Sequence, residues 1–122
     1  MNNLEVLKTG IEGFGLEATD EKLQQLKKYR EILVEWNKVM NLTGIEEERE
    51  VYIKHFLDSI SAVTNNYIND NISLIDVGTG AGFPGMPLKI CLENLNLTLL
   101  DSLNKRINFL QEVANELNLQ GI

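Results

Sequence analysis

The sequence predicts an α/β protein in which a helical N-terminal region leads into a parallel sheet. Three observations carry this. Apolar residues in the first seventy positions recur at helical spacing, whereas later short apolar runs alternate with helical stretches. The order in the second half is β-α-β-α, which implies parallel strands joined by right-handed crossovers. The first of these strands runs into residues 78–87, GTGAGFPGMP, which carry four glycines and two prolines. Residues 1–70 are therefore read as a helical extension and 71–122 as the first β-α-β-α part of a second unit, with NNYINDN at 65–71 as the boundary.

Each element has its own reason. Leu4, Leu7, Ile11 and Phe14 make the apolar face of a first helix, with Asn3 as its N-cap and Gly15 as its stop. Thr19 caps a longer helix, and Asp20 and Glu21 in its first turn favour the positive end of the helix dipole. Leu23, Leu26, Leu33, Trp36 and Met40 form its stripe, with Trp36 read as core, and Asn41-Leu42-Thr43-Gly44 breaks it. EEEREVYIKHFLDSISAV reads as one long helix or two abutting ones, with His55 hydrogen-bonding and packing at a helix junction. Strands are expected at Ser73–Val77 and Asn96–Asp101, and helices at 84–93 and 103–118. The last helix shows Ile107, Leu110, Val113 and Leu117 on one face, and Cys91 is expected to be buried. Gly121-Ile122 reads as the lead-in to a further strand.

Composition narrows the functions. The formal charge is −7, with 11 basic and 18 acidic residues. That balance argues against extended non-specific nucleic-acid binding, which depends on neutralising phosphates. Lys27, Lys28 and Arg30 form one small basic patch, and Lys105 and Arg106 another. One cysteine excludes an intrachain disulfide framework and fits a reducing cytosol, so a cytoplasmic location is expected. No apolar run approaches the ~18 residues of a membrane span. Neither a membrane partner nor a metal is expected.

The glycine-rich turn is the chemical signal. A strand, a bare turn and a helix form the usual cradle for a nucleotide-like ligand at the carboxyl end of a parallel sheet. Two templates compete. Gly80-x-Gly82-x-x-Gly85 fits a dinucleotide pattern, and Asp76-x-Gly78-x-Gly80-x-Gly82 fits that of S-adenosylmethionine enzymes. A pyrophosphate needs free N–H groups at a helix start. Pro84 and Pro87 remove two of them. Asp76 opposes a pyrophosphate but suits the ammonium and sulfonium of S-adenosylmethionine. Asp101 lies at the distance beyond Gly80 where an acidic residue accepts from ribose hydroxyls. A nicotinamide-dependent oxidoreductase is therefore the weaker enzyme reading. A non-catalytic binding or assembly module is the alternative from another class.

The same residues carry a resemblance. DVGTGAGFPGMPLKI and TLLDSLNKRINFLQEVANELNL resemble the bacterial small-subunit ribosomal RNA guanine-N7 methyltransferases, once called glucose-inhibited division protein B. EWNKVMNLTGI and KHFLDSI extend the resemblance upstream, so it covers almost all of the chain from Tyr29. It implies a class I, Rossmann-like methyltransferase with an N-terminal helical extension, acting on ribosomal RNA of the small subunit. It implies that Gly78 and Phe83 contact S-adenosylmethionine, which becomes S-adenosylhomocysteine, with Asp101 at the ribose. Guanine N7 carries a free lone pair, so no general base is required and no catalytic residue is assigned. The family pattern continues through further strands, so the resemblance implies a domain truncated after its second βα unit. On that reading the 122-residue chain alone does not methylate RNA. The open edge of Leu74-Ile75-Asp76-Val77 is then expected to favour self-association.

Overall fold

The computed structural model describes residues 1–122, and its order is helices first, then two parallel strands with a helix after each. Helix α1 spans Asn3–Gly13 and α2 spans Asp20–Asn37. A continuous helical stretch follows: α3 at Glu48–Val51, a π-helical turn at Tyr52–Leu57, α4 at Asp58–Ile60 and a 3-10 turn at Ser61–Thr64. Strand β1 is Ser73–Val77, α5 is Gly85–Cys91, β2 is Asn96–Leu100 and α6 is Asn104–Glu116.

Several boundaries differ from expectation for local reasons. The cap of α1 is Asn2, whose side chain accepts from Glu5 N–H at 2.8 Å; Asn3 instead donates to Glu48. Helix α2 stops at Asn37, short of Met40. The Asn37 side chain accepts from the Leu42 and Thr43 amides and donates to Thr43 O, offering the backbone an alternative to further helix. Trp36 is only half-buried: it packs edge-on against Phe109 and donates its indole N–H to Glu112. Thr19 caps α2 as expected, accepting from Lys22 N–H. The stretch read as one or two plain helices carries a π turn, and such turns are often found at functional sites. Strand β2 and helices α5 and α6 are each one to three residues shorter than read.

The halves share one core. Twenty buried residues form its main cluster, including Leu26, Tyr29 and Leu33 of α2, Phe56, Ala81, Met86 of α5, and Phe109 of α6. The change at residues 65–71 is thus one of secondary structure rather than of core. Cys91 is buried in this cluster, and burial pushes its thiol up to about 12. A small second cluster, Leu88, Leu92 and Leu95, packs beneath Leu74. At its margin Lys89 is 2% exposed and donates Nζ–H to Glu93 O and Leu95 O, closing the carboxyl end of α5.

Strands β1 and β2 pair in parallel with Ser73 opposite Asn96 and Val77 opposite Leu100. Helix α5 packs on both strands, on the side of Leu74 and Leu97. The other face is bare, with Ile75 60% and Val77 76% exposed. The far edge of β2 has a partner, because Leu97 N–H donates to Gly121 O at 2.9 Å. The expected lead-in at Gly121-Ile122 therefore lies alongside β2, whereas the far edge of β1 carries no strand. No helix is long and apolar enough to cross a membrane.

Candidate functional site at the glycine-rich turn

The turn from Gly78 to Pro84 leaves the carboxyl end of β1 and enters α5. Its first two amides, Gly78 and Thr79, both donate to Leu100 O, at 2.8 and 3.1 Å, and so tie the turn to β2. Three side chains hold the rest. Asp76 Oδ2 accepts from Thr79 Oγ1 at 2.7 Å and from Gly85 N–H at 3.0 Å. Asp101 Oδ2 accepts from Gly80 N–H at 2.9 Å. Tyr29 Oη donates to Ala81 O at 2.5 Å from the helical half.

The four glycines differ. Gly78 and Gly80 adopt positive φ, 69° and 60°, and a Cβ on either would meet nothing within 4 Å. They face open space. Gly82 also has positive φ, but its Cβ would lie 2.5 Å from Tyr29 Oη and 2.9 Å from Leu110 Cδ2. A Cβ on Gly85 would lie 2.8 Å from Leu99 and 3.0 Å from both Asp76 Oδ2 and Leu97. Packing is by itself enough to require glycine at 82, a position the sequence also assigns to the cofactor.

Gly78 and Asp101 share a cavity of about 360 Å³ with Val77, Leu100, Ser102 and Arg106. The Asp101 side chain is 2% exposed and paired with Arg106 at 3.3 Å. The Leu103 N–H, then Gly80 N–H and the Arg106 guanidinium hold its carboxyl below the usual range, against the opposing effect of burial. Asp101 is thus an ionised acceptor just beyond the carboxyl end of β2, with its oxygens on Gly80, Leu103 and Arg106.

The other residues read as site residues point elsewhere. Asp76 turns its carboxylate onto Thr79 and the start of α5. Phe83 stacks on His55 with ring centroids 4.5 Å apart and lies 5.9 Å from Tyr29 and 6.0 Å from Phe56. It lines a second cavity of about 510 Å³ on the helical side, with Asp58, Ser59 and Pro84. His55 hydrogen-bonds and packs as expected, but from within the π turn rather than at a junction between helices: Nε2 lies 2.7 Å from Thr43 Oγ1, and burial lowers its pKa, opposed by Asp58. No group of His, Cys, Asp or Glu is arranged to hold a metal ion. Each basic patch has its arginine engaged within the protein, Arg30 on Glu46 O and Arg106 on Asp101.

A dinucleotide is poorly served. Pro84 and Pro87 carry no N–H, Gly85 N–H is bound to Asp76, and Met86 N–H is bound to Gly82 O. A pyrophosphate would find those positions without a free donor and beside a carboxylate. Sequence reasoning missed Tyr29, Thr79 and the pairing of Arg106. Arg106 had a signal, five residues beyond Asp101 on the following helix. Tyr29 had none, since it meets Ala81 from 52 residues away.

Fold and site define an α/β protein with an open glycine turn and a cavity at the carboxyl end of a parallel sheet. Comparison with known proteins makes this more specific. Residues 22–122 match the family model GidB, described as rRNA small subunit methyltransferase G. The chain is 57% identical over 115 residues to the ribosomal RNA small subunit methyltransferase G of Alkaliphilus oremlandii, covering 94% of this chain and 48% of that protein. It is 52% identical over 122 residues to the same-named protein of Alkaliphilus metalliredigens, covering 100% and 51%. For that of Lachnoclostridium phytofermentans the identity is 51% over 113 residues, covering 93% and 47%. The chain belongs to this methyltransferase family, and it spans about half the length of the curated relatives it matches.

Proposed function

We propose that this chain carries the cofactor cradle of an S-adenosylmethionine-dependent methyltransferase that modifies N7 of a guanine in small-subunit ribosomal RNA, in the cytoplasm. The observation that carries the reading is the pairing of an open glycine arc, Gly78 to Gly80, with the ionised Asp101 in one cavity. The residues fit the group. Glycine at 78 and 80 leaves room for a nucleoside to approach the backbone. An ionised carboxylate has about four acceptor sites. Gly80 and Leu103 take one on each oxygen of Asp101, and Arg106 lies across both at 3.3 and 3.5 Å, so a ribose hydroxyl would take the place of the arginine contact.

When bound, S-adenosylmethionine supplies a methyl group on a sulfonium. The chain's own residues bind and orient it. Gly78 admits the nucleoside and Asp101 accepts from the ribose, whereas Phe83 stacks on His55 and lines the separate cavity on the helical side. Asp76 acts through the turn by holding Thr79 and Gly85. Because guanine N7 has an available lone pair, rate can come from alignment of the reactants, with effective molarities up to ~10⁵ M or more. No guanine-binding residue is assigned within this chain, which spans about half the length of the curated relatives it matches. The chain alone then binds cofactor without methylating RNA, and the open β1 edge favours association between copies.

Isothermal titration tests the reading. S-adenosylmethionine and S-adenosylhomocysteine are expected to bind, and NAD is not. Binding of NAD alone would overturn it in favour of the oxidoreductase, and binding of none would favour the non-catalytic module. Light scattering on the purified chain tests association, and a stable monomer would remove that part.

A further inference from the structure

The glycine arc has neighbours that are not glycine, and one of them is held from an unexpected direction. Ala81 lies between two glycines of positive φ, so local sterics do little to fix the orientation of its peptide groups. Its N-terminal neighbour, Gly80, donates N–H to Asp101 on the sheet side. Its own carbonyl accepts from Tyr29 Oη on the helical side. Two ties pull the same short stretch towards opposite halves of the molecule.

Tyr29 is built for this contact. It is fully buried in the middle of α2. Its ring stacks on Phe56 at 5.0 Å and meets Phe83 and Phe109 at 5.9 and 6.4 Å. Three neighbouring aromatic rings thus set the hydroxyl position, and burial, aided by the Asp76 charge, holds the phenol well above its usual pKa, so it stays a donor. The turn is matched to it, because any Cβ at position 82 would lie 2.5 Å from the hydroxyl.

We infer that Tyr29 is a positioning residue for the cofactor cradle: its hydroxyl holds the Ala81 carbonyl and thereby lets the N-terminal helices set the shape of the Gly78–Gly80 arc. The inference deepens the cofactor reading above and rests on it. It gives the helical extension a task in ligand binding although α1 and α2 do not line the Gly78–Asp101 cavity. Without the hydroxyl, the Ala81–Gly82 peptide keeps only its N–H bond to Thr79 O at 3.0 Å, and Gly80 keeps only Asp101.

The test is Tyr29→Phe, which keeps the ring and removes one oxygen. Amide hydrogen exchange at Gly80, Gly82 and Phe83 is expected to speed up at least about tenfold, with the α1 amides unchanged. The dissociation constant for S-adenosylhomocysteine is expected to rise about tenfold. Leu7→Ala, in α1, is the stability control: it lowers the melting temperature at least as much and leaves that constant within twofold. Turn exchange and affinity both like wild type would overturn the inference, as would equal affinity losses in the two variants. Faster turn exchange in a protein whose wild type binds no S-adenosylhomocysteine would leave the tie standing and sink the cofactor reading instead. Should Tyr29→Phe fail to fold, the unsubstituted chain still decides. A Tyr29 hydroxyl proton seen by NMR in slow exchange, close to the Gly82 amide, supports the tie, and its absence overturns it.

Discussion

Gly78 and Gly80 at the first end of the turn, and Gly82 and Gly85 at the second, are the same residue type used for opposite purposes. A Cβ at the first end would enter empty space, while a Cβ at the second would enter Tyr29, Leu110, Leu99 or Asp76. On the cofactor reading proposed above, the first end is bare so that a ligand can approach, whereas the second is bare because the protein closes on itself there. A glycine motif in sequence therefore mixes two signals. Only the surroundings of each Cβ position separate ligand contact from packing.

The largest effect that sharpens this contrast is expected at the packed end. Gly82→Val combines a β-branched side chain at positive φ with two contacts under 3 Å. It should cost about 3 kcal/mol or more, and calorimetry should show the melting temperature falling by roughly 10 °C or more. Gly85→Ala comes next. Its conformation is helical and its strain purely steric, so a loss of about 1–3 kcal/mol is expected from the same measurement. Gly78→Val should be milder in stability, about 1–2 kcal/mol of backbone strain. It should nonetheless weaken S-adenosylhomocysteine binding more than tenfold in titration, because its side chain occupies the approach to the backbone. If Gly78→Val and Gly82→Val lost stability and affinity in equal proportion, the two ends would not differ as described.

The smallest effect separates the ends by pH. At the packed end, His55 under Phe83 is held neutral by burial, so its folded pKa lies below its unfolded one. The stability this adds is complete above about pH 6.5 and is lost as pH falls through the lower folded value. At the open end, Asp101 is also depressed, but from the carboxylate range. Its contribution is complete above about pH 4 and is lost only below that. Melting temperature followed from pH 8 to 3 should fall in two steps, and His55→Phe should remove the upper one while leaving the lower.

Much of this molecule was legible in its sequence. The two strands, the helices after them and the cap at Thr19 follow from period, turn residues and a local hydrogen bond, all set within a few neighbouring residues. The pairing of the glycine turn with Asp101 was also readable, because a βα unit fixes where the next strand ends relative to the turn. What depended on groups far apart in the chain was not. The halves share a core because apolar faces of α2 and α6 bury each other across the turn, whatever the change of period at residues 65–71. Asp76 had a sequence pattern that pointed to a ligand, yet its side chain had nearer donors in Thr79 and Gly85. Gly82 had a motif position, but its reason is a hydroxyl on α2. Sequence by itself determined the periodic elements and the bare turn, because those arise from local sterics and hydrogen bonding. Tertiary structure alone decided which glycines stay open, because a Cβ is excluded by whatever the fold brings beside it, and at Gly82 that neighbour is Tyr29 from the distant helix α2.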